Sequence, residues 1–158
     1  MKRYIRGVAL LVSFACVSGL KAAEIEFVES VPEETVYGST LTSRPSAVWI
    51  DMISGSSRTL DIEEFYIADK PGEALEPVLA AVKAAAGRGV KVRFIVEKVM
   101  MKETEKVLPE LGLVPNVEVR VLNFRKIAGG VQHAKFFIVD GREVYVGSQN
   151  FDWRSLSQ

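Results

Sequence analysis

Cysteine is nearly missing from this sequence, with Cys16 the only one in 158 residues. No disulfide can close within the chain, and thiolate metal cages are excluded. Histidine is as scarce: His133 stands alone, which removes multi-histidine metal centres and any pair of histidines within one chain. Neither sign of charge prevails, because 20 Lys and Arg face 20 Asp and Glu. An anionic polymer or lipid must therefore be drawn by a local cluster and not by the field of the whole surface. Long apolar runs are lacking too. The stretch from Gly7 to Leu20 falls short of the roughly 20 residues that cross a bilayer.

What surrounds that stretch gives it a meaning. Lys2, Arg3 and Arg6 precede it and Ala22 and Ala23 follow, the layout of a secretory signal peptide. Residues 1–23 are therefore read as a leader for export to a periplasm, the exterior or an organelle lumen, with a retained anchor as the alternative. Cleavage after Ala22 puts Leu20 three residues upstream, a better fit than Lys21. The Ser13-Phe14-Ala15 stretch before Cys16 makes a poor lipidation box. The leader holds four basic and no acidic residues, so the remainder carries sixteen basic against twenty acidic ones, a net charge of about −4.

Residues 24–158 read as one domain. A 48% hydrophobic and 25% charged composition suits a chain that buries a core, and alternating strand and helix patterns point to an α/β class with a mixed sheet flanked by helices. Ile25, Phe27 and Val31 mark an entry strand, and 36–44 a Gly, Ser and Thr-rich loop. Pro45 starts a helix that Gly55 stops, with Val48, Trp49, Met52 and Ile53 on its apolar face and Trp49 in the core. A strand covers Leu60 to Ile67. Leu75, Val78, Leu79 and Val82 share one side of a second helix capped by Gly87. Val90 to Val96 is a buried strand, Lys102 to Leu111 a charged helix, and Val117 to Leu122 another strand. Ala134 to Val139 and Glu143 to Val146 form a hairpin around Asp140-Gly141. After Asn150 too little chain follows for a closing helix and strand.

On that hairpin lies His133-x-Lys135-x4-Asp140-x6-Gly147-Ser148-x-Asn150. Residues two apart on a strand share a face, so His133 and Lys135 point the same way, and the returning strand brings Ser148 and Asn150 level with them. An imidazole can attack phosphorus or pass a proton, since it titrates near neutrality. The Lys135 ammonium, with donors from Ser148 and Asn150, suits the non-bridging oxygens of a phosphodiester. Neither a metal nor another cofactor is called for. Each residue alone has an ordinary structural explanation: a hydrogen-bonded histidine, a solvated lysine, a plain Asp-Gly turn. Six specified residues at fixed spacing are another matter, expected by chance at on the order of 10⁻⁶ for residue usage of roughly 5%.

The segment from His133 to Asn150 resembles the HKD motif of the phospholipase D superfamily. Phe27 to Glu33, Leu60 to Tyr66, Gly89 to Arg93 and Phe151 to Gln158 are similar to the branch with lysosomal single-strand exonucleases and poxvirus envelope phospholipase-like proteins. The resemblance implies a phosphodiesterase, hydrolase or transphosphatidylase, acting on phospholipid or single-stranded nucleic acid through a covalent phosphohistidine that water or an alcohol releases. It implies His133 as nucleophile, catalytic roles for Lys135 and Asp140, with Asp140 mainly structural, and phosphate binding by Lys135, Ser148 and Asn150. A second motif histidine would protonate the leaving group. With one histidine here, that second HKD copy is expected from a missing C-terminal half or from a homodimer partner. The acidic residue that orients the histidine in the family would fall past Gln158. The alternatives are a 5′ exonuclease specialisation and, in another class, a non-catalytic binding domain or inactive fragment.

Other features are read as structure. Glu63 and Glu64 face opposite sides of a strand and are taken as one edge and one solvated residue. Gly87-Arg88-Gly89 lacks the Gly-Lys-Ser/Thr ending of a phosphate loop. Arg125 and Lys126, ahead of Gly129-Gly130, are placed in a loop that either is simply solvated or guides an anion.

Overall fold

The computed structural model describes residues 24–32 and 34–157; the leader assigned to 1–23 lies outside them. Its centre is a five-stranded mixed sheet in the order β4-β3-β1-β5-β6. Strands β1 (Thr59–Glu64), β3 (Lys91–Glu97) and β4 (Val117–Leu122) run parallel, and β5 (Phe136–Val139) and β6 (Glu143–Val146) complete it as an antiparallel hairpin. A two-stranded parallel sheet pairs β2 (Ile67–Ala68) with β7 (Phe151–Asp152). Mixed sheet and helices are the α/β architecture expected.

The period-two pattern decides which face is buried. Leu60 pairs with Val92 and Val139, and Ile62 with Phe94 and Phe137, and all six are buried. Helices α1 (Pro45–Gly55) and α2 (Glu76–Gly87) pack on each other and add Trp49, Ile53, Val78, Leu79, Val82, Ala85 and Ala86 to the same core. Trp49 is its centre: it stacks on Phe151 at 4.7 Å and meets Tyr145 and Phe137 edge-on at 5.4 and 6.2 Å. On the opposite face Asp61 pairs with Arg93 beside Glu63, Arg120 and Phe136.

Several sequence expectations need correction. Ile25 and Phe27 form no strand; both are largely exposed, and only Val28 makes a bridge, to Ser43. The strand expected over 60–67 is two strands separated by Phe65 and Tyr66. After α2 the left-handed residue is Gly89 (φ +94), not Gly87. The charged helix expected over Lys102 to Leu111 is interrupted into α3 (Met101–Thr104) and α4 (Leu108–Gly112), with a 3-10 turn (Lys98–Met100) ahead of them; Pro109 has no N–H to donate back across the break. Arg125 and Lys126 lie in a short helix, α5 (Phe124–Ala128), which starts at the Asn123 side chain and ends at a left-handed Gly129. The tail forms β7 and α6 (Trp153–Ser157) despite its brevity. No helix among the described residues is long and apolar enough to cross a membrane.

Candidate active site

The histidine arm of the motif sits just ahead of β5, which begins at Phe136 and not at Ala134. Lys135 continues the phase of Phe137 and Val139, so its side chain is buried with theirs, whereas His133 is exposed. The two still meet: Lys135 Nζ donates to the His133 carbonyl at 2.8 Å. The half-buried Phe65 ring lies edge-to-face against the imidazole at 4.4 Å, with Lys135 Nζ 5.4 Å from its centre. An ammonium has three donors. One is committed to the carbonyl, and among the described residues the other two have no acceptor.

The backbone around His133 is held at several of its polar groups. Gln132 N–H donates to the Glu97 carboxylate at 2.9 Å, Gln132 Nε2 donates to the Ala134 carbonyl at 3.2 Å, and Gly147 N–H donates to the Lys135 carbonyl at 3.1 Å. The last of these ties the histidine arm to the Gly147–Asn150 arm. There Gln149 is fixed from two sides, accepting from Tyr145 Oη at 2.8 Å and donating to Ser30 Oγ at 2.6 Å. A Cβ on Gly147 would fall 2.5 Å from Gln149 Oε1 and 2.8 Å from the Tyr145 ring, so the close approach requires glycine. Ser148 is exposed, and Asn150 Oδ1 is buried and unpaired among the described residues. The next residue, Phe151, donates its N–H to Glu64 at 3.3 Å.

Glu64 was expected at an edge or in solvent, and the structure overturns that. It occupies the buried phase of Leu60 and Ile62 and is only 1% exposed. Burial pushes its carboxyl well above the usual range, against the Phe151 N–H and the Lys135 charge, which pull it down. Burial likewise lowers the Lys135 ammonium, and Glu64 opposes that. The two groups thus sense each other inside the protein. Glu97, also 1% exposed, is a second carboxylate that the sequence did not single out.

Asp140 belongs elsewhere. It stands at φ +53, followed by Gly141 at +67, the paired positive angles of a tight hairpin turn. Its carboxylate accepts from Ser57 Oγ at 2.6 Å and from the backbone N–H groups of Ser57, Arg58 and Thr59 at 3.0, 2.7 and 2.9 Å. The Ser57 hydroxyl first, then those N–H groups, hold its pKa far below the ordinary carboxylate value. Five strand positions at roughly 3.3 Å each put it about 16 Å along the chain from Lys135. The motif therefore gathers His133 and Lys135 at one end of the hairpin, with the Asn150 arm tied to them, and uses Asp140 to pin the other end to the start of β1. Among the described residues no group of three or more His, Cys, Asp or Glu is placed to hold a metal.

The chain is similar to several known proteins. Bovine 5′-3′ exonuclease PLD3 is 36% identical over 146 residues, covering 85% of this chain and 30% of that protein. The virion nicking-joining enzyme of vaccinia virus is 36% identical over 130 residues, covering 79% and 28%. This chain thus spans less than a third of the length of these curated relatives. Among solved structures, NucT from Helicobacter pylori matches with a TM-score of 0.59 and 23% identity, over 70% of this chain and 69% of that one. Nuc from Salmonella typhimurium, a phospholipase D family member, matches with 0.59 and 19%, over 71% and 68%. At such identities the likeness establishes the fold. The family model described as "Cardiolipin synthase, PLD-like domain" matches residues 49–158, and the chain belongs to this PLD-like family.

Proposed function

We propose that this chain supplies one half of a phosphodiesterase site in which His133 is the nucleophile. The observation that carries the reading is the exposed His133 imidazole resting against the Phe65 ring, next to a buried Lys135 ammonium that, among the described residues, spends one of its three donors on the His133 carbonyl. His133 nitrogen attacks phosphorus and forms a P–N bond as the P–O bond to the leaving group breaks. Lys135, aided by Ser148 and Asn150, neutralises the non-bridging oxygens as charge builds on them. A histidine from a second copy of the motif, on another segment or another subunit, protonates the departing oxygen, and the same group then activates water to release the phosphohistidine. Asp140 acts by holding the hairpin in place.

The relatives named as an exonuclease and as a nicking-joining enzyme favour single-stranded nucleic acid as substrate. The family description that names cardiolipin synthase keeps phospholipid as the second reading. The full-length protein should shorten a 3′-labelled oligonucleotide more efficiently than it releases headgroup from anionic vesicles, and His133→Asn should lower turnover by at least about 10³-fold. Undiminished turnover in His133→Asn would refute the nucleophile assignment, and headgroup release as the dominant activity would move the substrate to lipid. Residues 1–23 contain the export leader in this reading, cut after Ala22, on the strength of their charge and apolar pattern. N-terminal sequencing of the secreted protein should begin at Ala23.

A further inference from the structure

The phosphodiesterase chemistry makes no direct use of two of the most buried charged side chains in the domain. Glu64 ends β1 and Glu97 ends β3, on neighbouring parallel strands where Glu64 pairs with Val96. Each is 1% exposed, and a carboxylate is rarely taken out of water without a specific partner. Neither has a salt bridge within the described residues, since the ion pairs there lie at other sites. Both instead accept backbone N–H groups, and the residues that supply those groups flank the motif. Glu97 holds the N–H of Gln132, directly before His133, and Glu64 holds the N–H of Phe151, directly after Asn150.

Glu97 does more than grip Gln132. Its own N–H donates to the Phe65 carbonyl at 3.4 Å, and the Phe65 ring is the surface against which the His133 imidazole rests. A second oxygen caps the turn after β3 by accepting from Val99 N–H at 3.4 Å. One residue thus sets the height of the aromatic support and the path of the chain that carries the histidine. Glu64 does the equivalent for the other arm, and does so beside Lys135, whose charge it senses.

We infer that Glu64 and Glu97 are positioning residues that fix the separation between the His133 arm and the Asn150 arm of the site. The inference rests on the phosphodiesterase reading for its functional consequence, though not for its geometry. Well-oriented reacting groups are sensitive to displacements of about 1 Å, which cost on the order of 10²-fold in rate. The loss should therefore fall on kcat, with KM little changed, because neither carboxylate is among the groups assigned to hold phosphate.

The test compares Glu97→Ala and Glu64→Ala with Glu97→Gln and Glu64→Gln, since glutamine keeps an acceptor oxygen of similar reach. Two measurements are made on the full-length protein: turnover of bis(p-nitrophenyl) phosphate, and the imidazole NMR signals, of which the His133 set is assigned by its loss in His133→Asn. Each alanine variant should lose about 30- to 100-fold in kcat at near-constant KM. Glu97→Ala should also shift or broaden the His133 signals. The glutamine variants should recover to within about threefold, with wild-type His133 signals. Alanine variants with kcat within threefold of wild type, or a Glu97→Ala variant with unchanged His133 signals, would overturn the inference. So would alanine and glutamine variants that are equally impaired. If wild type and His133→Asn turn over alike, it is the phosphodiesterase reading that fails, and the His133 signals of the Glu97 pair then decide the positioning claim alone.

Discussion

Replacing Lys135 with methionine separates chemistry from stability at this site. Methionine matches the length of the lysine stem and fills a position only 6% exposed, so packing is nearly conserved. Three electrostatic effects remain. The His133 carbonyl loses a charge-assisted bond of 2.8 Å, worth about 1.5–3 kcal/mol. The cost of keeping an ammonium out of water disappears, which offsets part of that. Glu64 loses its cationic neighbour, but burial already holds its carboxyl well above the usual range, so it answers by taking up a proton and not by standing as a bare buried charge. The net loss of stability should be no more than about 2 kcal/mol.

The effect on rate should be larger and of another kind. Removing one preorganised donor from a developing oxyanion costs about 2.7–4 kcal/mol, or 10²–10³ in kcat. Lys135→Met should therefore lose 10²–10³ in turnover while its urea midpoint moves little. Lys135→Arg should not rescue it, because a planar guanidinium cannot reproduce both the carbonyl bond and the free donors of a compact ammonium. Turnover of Lys135→Met within tenfold of wild type would refute the assignment. A loss that simply tracks unfolding would refute it too.

Four further outcomes follow from the same geometry. Gly147→Ala drives a Cβ into Gln149 and Tyr145; it should destabilise by about 1–3 kcal/mol and depress kcat as the Asn150 arm shifts, whereas an unchanged crystal loop with normal kcat would contradict the close-approach argument. Trp49→Ala empties the aromatic cluster under both arms and should cost about 3–5 kcal/mol in urea unfolding; a change below about 1 kcal/mol would mean that the cluster is not the keystone of the core. Asp140→Asn should destabilise the protein near neutral pH. The Asp140 pKa is depressed in the folded state, so its contribution is full above the ordinary carboxylate value of about 3.9 and lost as pH falls through the depressed one. The gap between wild type and variant should therefore close only below about pH 4, and a gap constant from pH 7 to 2 would count against this. Reversing the exposed Arg125 and Lys126 of α5 to glutamate should weaken oligonucleotide binding and reduce its salt slope by about 1–2, leaving kcat intact; an unaltered slope would make that helix a bystander.

Local patterns that agree with tertiary burial were readable before the structure. The α1 and α2 helices, the strands through Leu60, Val92 and Val117, and the Asp140-Gly141 turn all follow from period and punctuation, because one face of each meets the core. The signals for α5 were also present, in the Asn123 cap and Gly129 stop, but five residues are too few for a helical period to show. The β2–β7 pairing was not readable. Ile67 and Phe151 are 84 positions apart, and two residues carry no pattern of their own.

The two glutamates mark the boundary most clearly. Glu64 was legible in principle: it continues the alternation of Leu60 and Ile62, and a residue in that phase belongs to the buried face whatever its charge. Treating it as solvated gave residue type more weight than phase. Glu97 was not legible in that way. It follows Val96 in the opposite phase, and the chain from Gln132, distant in sequence, returns to meet its carboxylate at the end of β3. The motif announces the groups that touch a phosphodiester, since chemistry fixes their type and spacing. The groups that aim them are chosen by whichever strand end lies beneath, and that choice becomes visible only when the backbone is in place. A search for positioning residues in such a site should therefore begin from the N–H groups on either side of the motif and ask what accepts them.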